Sequence, residues 1–197
     1  AEIQELINMM PSFIETSKGL FVAFGIGAFC FMFNFIALTA ISRDRNNSTF
    51  MKYIPIDLEK QCFYKIMPGI ILNLVPIIYF SGMLKVLIPE ISIKVLSYII
   101  IDLILMNICN NYIMIIIDLK NPKLDWITEY AVVKQNINML FQIIILLIEM
   151  AVIAGISTLI SNINIFILII GIIYVISIFA VRKYITKNQT KLFRKVI

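Results

Sequence analysis

Two carboxylates stand inside otherwise uncharged runs: Asp102 in "YIIIDLILM" and Glu149 in "LLIEMAVI". Amides accompany them at helical spacing. Asn107, Asn110 and Asn111 follow the first acid, and Asn138 and Gln142 precede the second. Acids and amides in apolar surroundings can do three things: hold a cation, pass a proton, or hydrogen-bond one helix to another. Other chemistries are excluded by residue type. There is no histidine, which removes imidazole acid–base catalysis and His-ligated metal. Cys30, Cys62 and Cys109 are far apart, form no CxxC pair, and read as inert buried thiols. No catalytic residue, metal or cofactor is assigned, and no GxxxxGK[ST] loop for binding ATP occurs in the chain.

The acids can be placed only by the elements that carry them. The chain is 60% hydrophobic and 15% charged, outside the balance of soluble domains. Apolar runs long enough to cross about 30 Å of hydrocarbon recur along it. The pattern predicts an all-α polytopic membrane protein with spans over 19–41, 66–88, 94–117, 137–160 and 164–181. Segment 1–18 lies on the outer side, 42–65 and 118–136 are cytoplasmic loops, and 182–197 is a basic tail. Short connections at 89–93 and 161–163 make spans two and three, and spans four and five, antiparallel hairpins. Pro68 and Pro76 should bend the second span, and Ala23–Gly27 and Ala151–Gly155 offer small faces for close packing.

Charge orients this arrangement. Arg43, Arg45, Lys52, Lys60, Lys65, Lys120, Lys123, Lys134, Arg182, Lys183, Lys187, Lys191, Arg194 and Lys195 share one side. Lys18, Lys85 and Lys94 hold the other. Fourteen against three places the long loops in the cytoplasm by the positive-inside rule. The net charge of +5 thus points to anionic lipid at the membrane face and not to nucleic acid.

Both long loops carry apolar and aromatic residues. In 42–65, Asn47-Ser48 can cap a short helix bearing Phe50, Met51 and Ile54; Pro55 ends it, and Asp57 can cap a helix leading into the next span. In 118–136, Pro122 ends the preceding span. Asp125 as N-cap would place Trp126, Ile127, Tyr130 and Val133 on one face of an amphipathic helix. Such a helix anchors at the headgroups or docks a partner. In the third span, Ile101, Ile104, Leu105, Ile108, Tyr112 and Ile115 form the expected lipid face. The polar stripes of spans three and four are expected to face each other or a missing part of the protein, and Lys85 to reach inward toward Asp102.

The segment "SRDRNNSTFMKYIPID" resembles the cytoplasmic segment of type-2 ATP-binding cassette (ABC) exporter permeases, where a Ser-Arg-acid start and a proline elbow precede a span. "DLKNPKLDWITEYAVVKQNIN" is similar to a signature of a bacterial subgroup of them. The matching residues are Asp118, Pro122, Leu124, Trp126, Glu129, Val133, Lys134, Gln135 and Asn136. The resemblance covers about residues 41 to 160, with Asp57 standing where a small residue is commoner. It implies a C-terminal permease fragment in the bacterial plasma membrane, its C-terminus cytoplasmic. Its partners would be a separate cytoplasmic ATPase and a missing N-terminal half or second permease copy. Arg43, Asp44, Phe50, Pro55, Asp57, Trp126, Glu129 and Tyr130 are the implied contacts with that ATPase. Two other functions remain compatible with the residues: an ion-coupled carrier working through Asp102 and Glu149, and a non-transporting membrane scaffold.

Overall fold

The computed structural model describes residues 11–31 and 33–195, apart from the side chains of Cys30, Asn46, Glu129 and Lys195. The acidic stretch at 1–10 lies outside it. The described residues are helices and turns: α1 (Ser17–Phe31), a 3-10 segment (Ser42–Lys52), α2 (Leu58–Leu87), α3 (Ile93–Lys120), α4 (Glu129–Lys134), α5 (Asn138–Leu159), α6 (Ile163–Lys187) and α7 (Gln189–Lys195). Among them α2, α3, α5 and α6 are long and apolar enough to cross a membrane. At 1.5 Å per residue, their 30, 28, 22 and 25 residues span about 45, 42, 33 and 38 Å. The chain is an all-helical, multi-pass membrane protein.

The first expected span differs. Its helix has 15 residues, about 22 Å, and ends at Phe31 where 19–41 had been expected to continue. The reason lies in Asn34. Its Nδ2 donates to the Gly69 carbonyl of α2 at 2.8 Å, and its Oδ1 accepts from the Ile36 amide at 3.1 Å. A side chain that serves these two backbone groups favours a turn over helix. Residues 33–41 therefore run as turns, with Ala37, Leu38 and Ile41 buried. The other end is extended instead: the expected tail 182–197 continues α6 to Lys187 and then forms α7.

The central element is α3. Of its most apolar stretch 61% is buried, against 17–28% for the other three long helices. It packs against α2 on one side and α6 on the other, and also touches α1 and α5. This overturns the expected lipid face of the third span, because Tyr112 and Ile115 are buried while only Ile101 among the six is exposed. The outer helices show the arrangement that lipid imposes. On α2, Ile71, Val75, Ile78 and Val86 point outward, while Gly69, Asn73 and Ser81 point inward. Lipid is as apolar as leucine, so small size and hydrogen bonding decide which residues face the bundle.

The α5–α6 connection is short, yet α5 packs chiefly against α1, and α6 against α3. Ser17 Oγ fixes the α1–α5 contact by donating to the Ser157 carbonyl at 3.0 Å. Asn162 caps α6, its Oδ1 accepting from the amides of Asn164 and Ile165.

The two small-residue pairs part company. Gly27 lies under Leu103, so close that an added Cβ would sit 2.4 Å from Leu103 Cδ2. Gly155 has nothing within 4 Å of its Cβ position and faces outward with Ala151. We expect Gly27→Ala to cost about 1 kcal/mol through overpacking. Gly155→Ala should be neutral or stabilising by a few tenths, through helix propensity. Thermal unfolding of the two variants in detergent checks the contrast, and equal midpoints would contradict the packing.

Candidate functional site

Two places concentrate polar side chains: the end of the bundle that holds the long connections, called here the polar end, and a layer within the bundle.

At the polar end the organising group is Asp118, in the last turn of α3 and fully buried. Its Oδ2 accepts from the backbone amides of Ile41 at 2.6 Å and Ser42 at 3.0 Å. Its Oδ1 accepts from Ser42 Oγ and from Asn138 Nδ2, the latter at 3.3 Å. Ser42 Oγ in turn accepts from the Lys123 amide at 2.8 Å. Asn138 Nδ2 also reaches the Asn121 carbonyl at 3.1 Å, and the Asn138 amide donates to Asn136 Oδ1 at 3.0 Å. One carboxylate thus ties the start of the first long connection to the start of the second and to the base of α5.

Trp126 completes the tie. Its Nε1 donates to the Ser42 carbonyl at 2.8 Å, and the Arg45 guanidinium lies 5.5 Å from the ring centre. Arg45 is also the one described non-glycine residue at positive φ (50°), where two 3-10 turns meet. The expected helix from Asp125 is not formed. α4 starts at Glu129 after Thr128, has six residues, and lacks a side-chain cap, so Trp126 and Ile127 precede it in irregular chain. The tertiary hydrogen bond of Trp126 to Ser42 holds that chain out of helix.

The other contact candidates divide by what they touch. Arg43 donates to the carbonyls of Ile36 and Thr39, and Asp44 pairs with Lys65. Pro55 and Asp57 are exposed at the elbow, where Asp57 precedes α2 without capping it through its side chain. The elbow is stiffened from within. Gln61 Nε2 donates to the carbonyls of Met51 (3.0 Å) and Ile56 (2.7 Å), and Met51 and Leu58 are buried beneath it. Glu59 then anchors the start of α2, accepting from Tyr112 of α3 (3.2 Å) and Arg182 of α6 (2.7 Å). Outward from this frame stand Phe50 (62% exposed), Tyr53 (81%), Ile127 (93%) and Tyr130 (63%). The Glu129 side chain lies outside the described residues. Between the elbow and α7 runs a groove of about 540 Å³ lined by Pro55, Asp57, Tyr64 and Phe193.

Within the bundle, the amides gather in separate groups between two apolar cores. Asn73 Nδ2 of α2 donates to Asn107 Oδ1 of α3 at 2.7 Å, and Asn107 Nδ2 returns a bond to the Ile70 carbonyl at 3.0 Å. Asn111 Nδ2 donates to the Asn107 carbonyl and Oδ1 at 2.9 and 2.8 Å. Gly69 allows this approach, since a Cβ there would meet Asn111 Oδ1 at 2.6 Å. On the opposite side, Asn110 Nδ2 donates to Glu149 Oε2 at 3.0 Å, and Gln142 Nε2 donates to the Phe31 carbonyl at 3.3 Å.

The expected stripes of spans three and four thus meet only in part: Asn110 joins Glu149, whereas Asn107 and Asn111 turn to α2. The space between these amides is about 10 Å³, the lower edge of what one water occupies, while Asn73 also lines a cleft of about 420 Å³ and Glu149 one of about 260 Å³. Asp102 stands apart from the layer, buried against α6, and its Oδ2 has no hydrogen-bond partner among the described residues. Lys85 does not reach it. That ammonium is spent on the carbonyls of Pro89 (2.7 Å) and Ile91 (3.0 Å) at the end of its own helix.

Asp118 and Ser42 escaped sequence reasoning. Asp118 read as the first residue of a cytoplasmic loop and of its signature, and Ser42 as the head of the other motif, but neither was named as a site residue. Among the described residues no cluster of metal-ligating side chains occurs, and Cys62 and Cys109 are free and buried. No family model matches the chain, and comparison with curated proteins and with solved structures returned no match.

Proposed function

We propose that the chain belongs to the transmembrane subunit of an ABC-type exporter in a bacterial plasma membrane. The polar end is then cytoplasmic and receives a separate ATPase. The observation that carries this reading is the joining of the two long connections through Ser42. Asp118, Lys123 and Trp126 all bond to that one residue, so the segments move as a unit. A unit of this kind, with Phe50, Tyr53, Ile127 and Tyr130 outward, suits a passive partner that must accept force. The elbow hands displacement to α2, because Gln61 and Glu59 bind it to the bundle. Trp126 acts in this reading as the clasp between the segments and not as a free contact residue. Another part of the permease, or a second copy, covers the exposed outer face of α5.

Single cysteines at Tyr53 and Ile127, in a background with Cys30, Cys62 and Cys109 replaced, test this in native membranes. Both positions are expected to crosslink to a Walker-motif ATPase, in yields that change with ATP. A cysteine at Leu159, 84% exposed at the opposite end, should not. Absence of any ATPase adduct from both polar-end positions would overturn the reading.

A further inference from the structure

Asp102 is 3% exposed and lies on the face of α3 that meets α6. Gly171 of α6 makes room for it, since a Cβ there would stand 3.0 Å from Asp102 Oδ1. The other oxygen, Oδ2, is buried and has no partner among the described residues. Beside the carboxyl is a cleft of about 460 Å³ between the two helices, with Leu105, Leu168, Ile172 and Ile176 among its walls and Asn164 near its mouth. Leu168, Ile172 and Ile176 are each about half exposed or more, so the cleft opens sideways toward lipid. A volume of this size accommodates a small organic molecule. Asp102 sits nine residues into α3, about 14 Å from the end with the short connections, well inside the hydrocarbon.

A carboxyl that lines an aliphatic, lipid-facing cleft, with no ion-pair partner among the described residues, calls for a donor that arrives by way of the membrane. We propose that the α3–α6 cleft binds a long-chain alkylamine, its ammonium on Asp102 and its chain along the aliphatic walls. An inorganic cation does not fit this donor set, because hard cations take about six or more oxygens and the cleft offers one carboxyl. A neutral or anionic amphiphile fits it less well, because only a cation forms a charge-assisted bond to a carboxylate. Lipid tails are as apolar as the cleft walls, so the chain alone confers little preference. Discrimination must come from Asp102. The site stands on α3 and α6 without the exporter reading, and its test measures binding and not transport.

The measurement is saturable binding of radiolabelled dodecylamine to the purified chain in phosphatidylcholine nanodiscs, with dodecanol and dodecanoate as competitors. Dodecylamine is expected to compete about tenfold better than dodecanol, and Asp102→Asn to erase that preference while Gly155→Ala keeps it. Equal competition by dodecanol, or a preference surviving in a monodisperse Asp102→Asn protein, overturns the proposal. Should Asp102→Asn fail to fold, Ile172→Trp fills the cleft from the lipid side without touching the acid. Loss of saturable binding is again expected, and retention overturns the proposal.

Discussion

Asp118→Ala is expected to destabilise the chain by about 3 kcal/mol, the largest effect of any single substitution considered. The carboxylate accepts from two backbone amides, one hydroxyl and one side-chain amide, all in the buried junction. Removing it leaves donors without acceptors where water does not reach. Each such donor costs about 1–3 kcal/mol, and some relaxation brings the sum down. Ser42→Ala is the informative comparison. It deletes the hydroxyl that bridges Asp118 and the Lys123 amide, but it leaves both backbone bonds to the carboxylate, so about 1 kcal/mol is expected. Thermal unfolding in detergent gives the order. The single tryptophan adds a local readout, because Trp126 is bonded to the Ser42 carbonyl. Its emission should shift to the red in Asp118→Ala, and less in Ser42→Ala. Equal midpoints for both variants and the parent would mean that the junction does not hold the two segments.

The same junction explains where the sequence was legible and where it was not. Long apolar runs bounded by charge report the local cost of burying backbone in lipid, so α2, α3, α5 and α6 appeared close to their expected places. Short-range rules failed where a distant partner competes. Asn34 ends α1 through a bond to Gly69, 35 positions away. Trp126 leaves its expected helix for Ser42, 84 positions away. Lys85 was paired with Asp102 by proximity of turns, yet nearby carbonyls satisfy it more cheaply. The face of α3 was misread because periodicity shows which residues share a side, not how many neighbours surround the helix. Asn107, Asn110, Asn111, Gln142 and Glu149 were visible and Asn73 was passed over, and the sorting of these residues between α2 and α5 depends on packing that Gly69 permits and no spacing encodes.

Asn107→Ala is expected to cost about 2 kcal/mol, and the partition of that cost bears on how the elbow could drive the bundle. Asn107 accepts from Asn73 and Asn111 and donates to the Ile70 carbonyl, so three side-chain bonds are lost. Two of these bonds cross to α2, and interhelical bonds in membranes average about 0.6 kcal/mol; the third lies within α3, and the Asn73 amide left without its acceptor brings the total to about 2 kcal/mol. Asn73→Ala should cost about 0.6 kcal/mol, and the double variant less than the sum by about the value of the shared bond. Additive costs in that cycle would show that the 2.7 Å contact contributes nothing of its own. The functional consequence follows from position. α2 receives the elbow at one end and meets α3 through this amide layer further along. If the exporter reading holds, loosening the layer should leave crosslinking at Tyr53 and Ile127 unchanged while export falls, because docking uses the polar end alone and transmission uses the seam. A double variant that exports at the parental rate with the layer demonstrably broken would place force transmission elsewhere, and the Glu59 contacts to Tyr112 and Arg182 would then be a remaining side-chain link from α2 to α3 and α6.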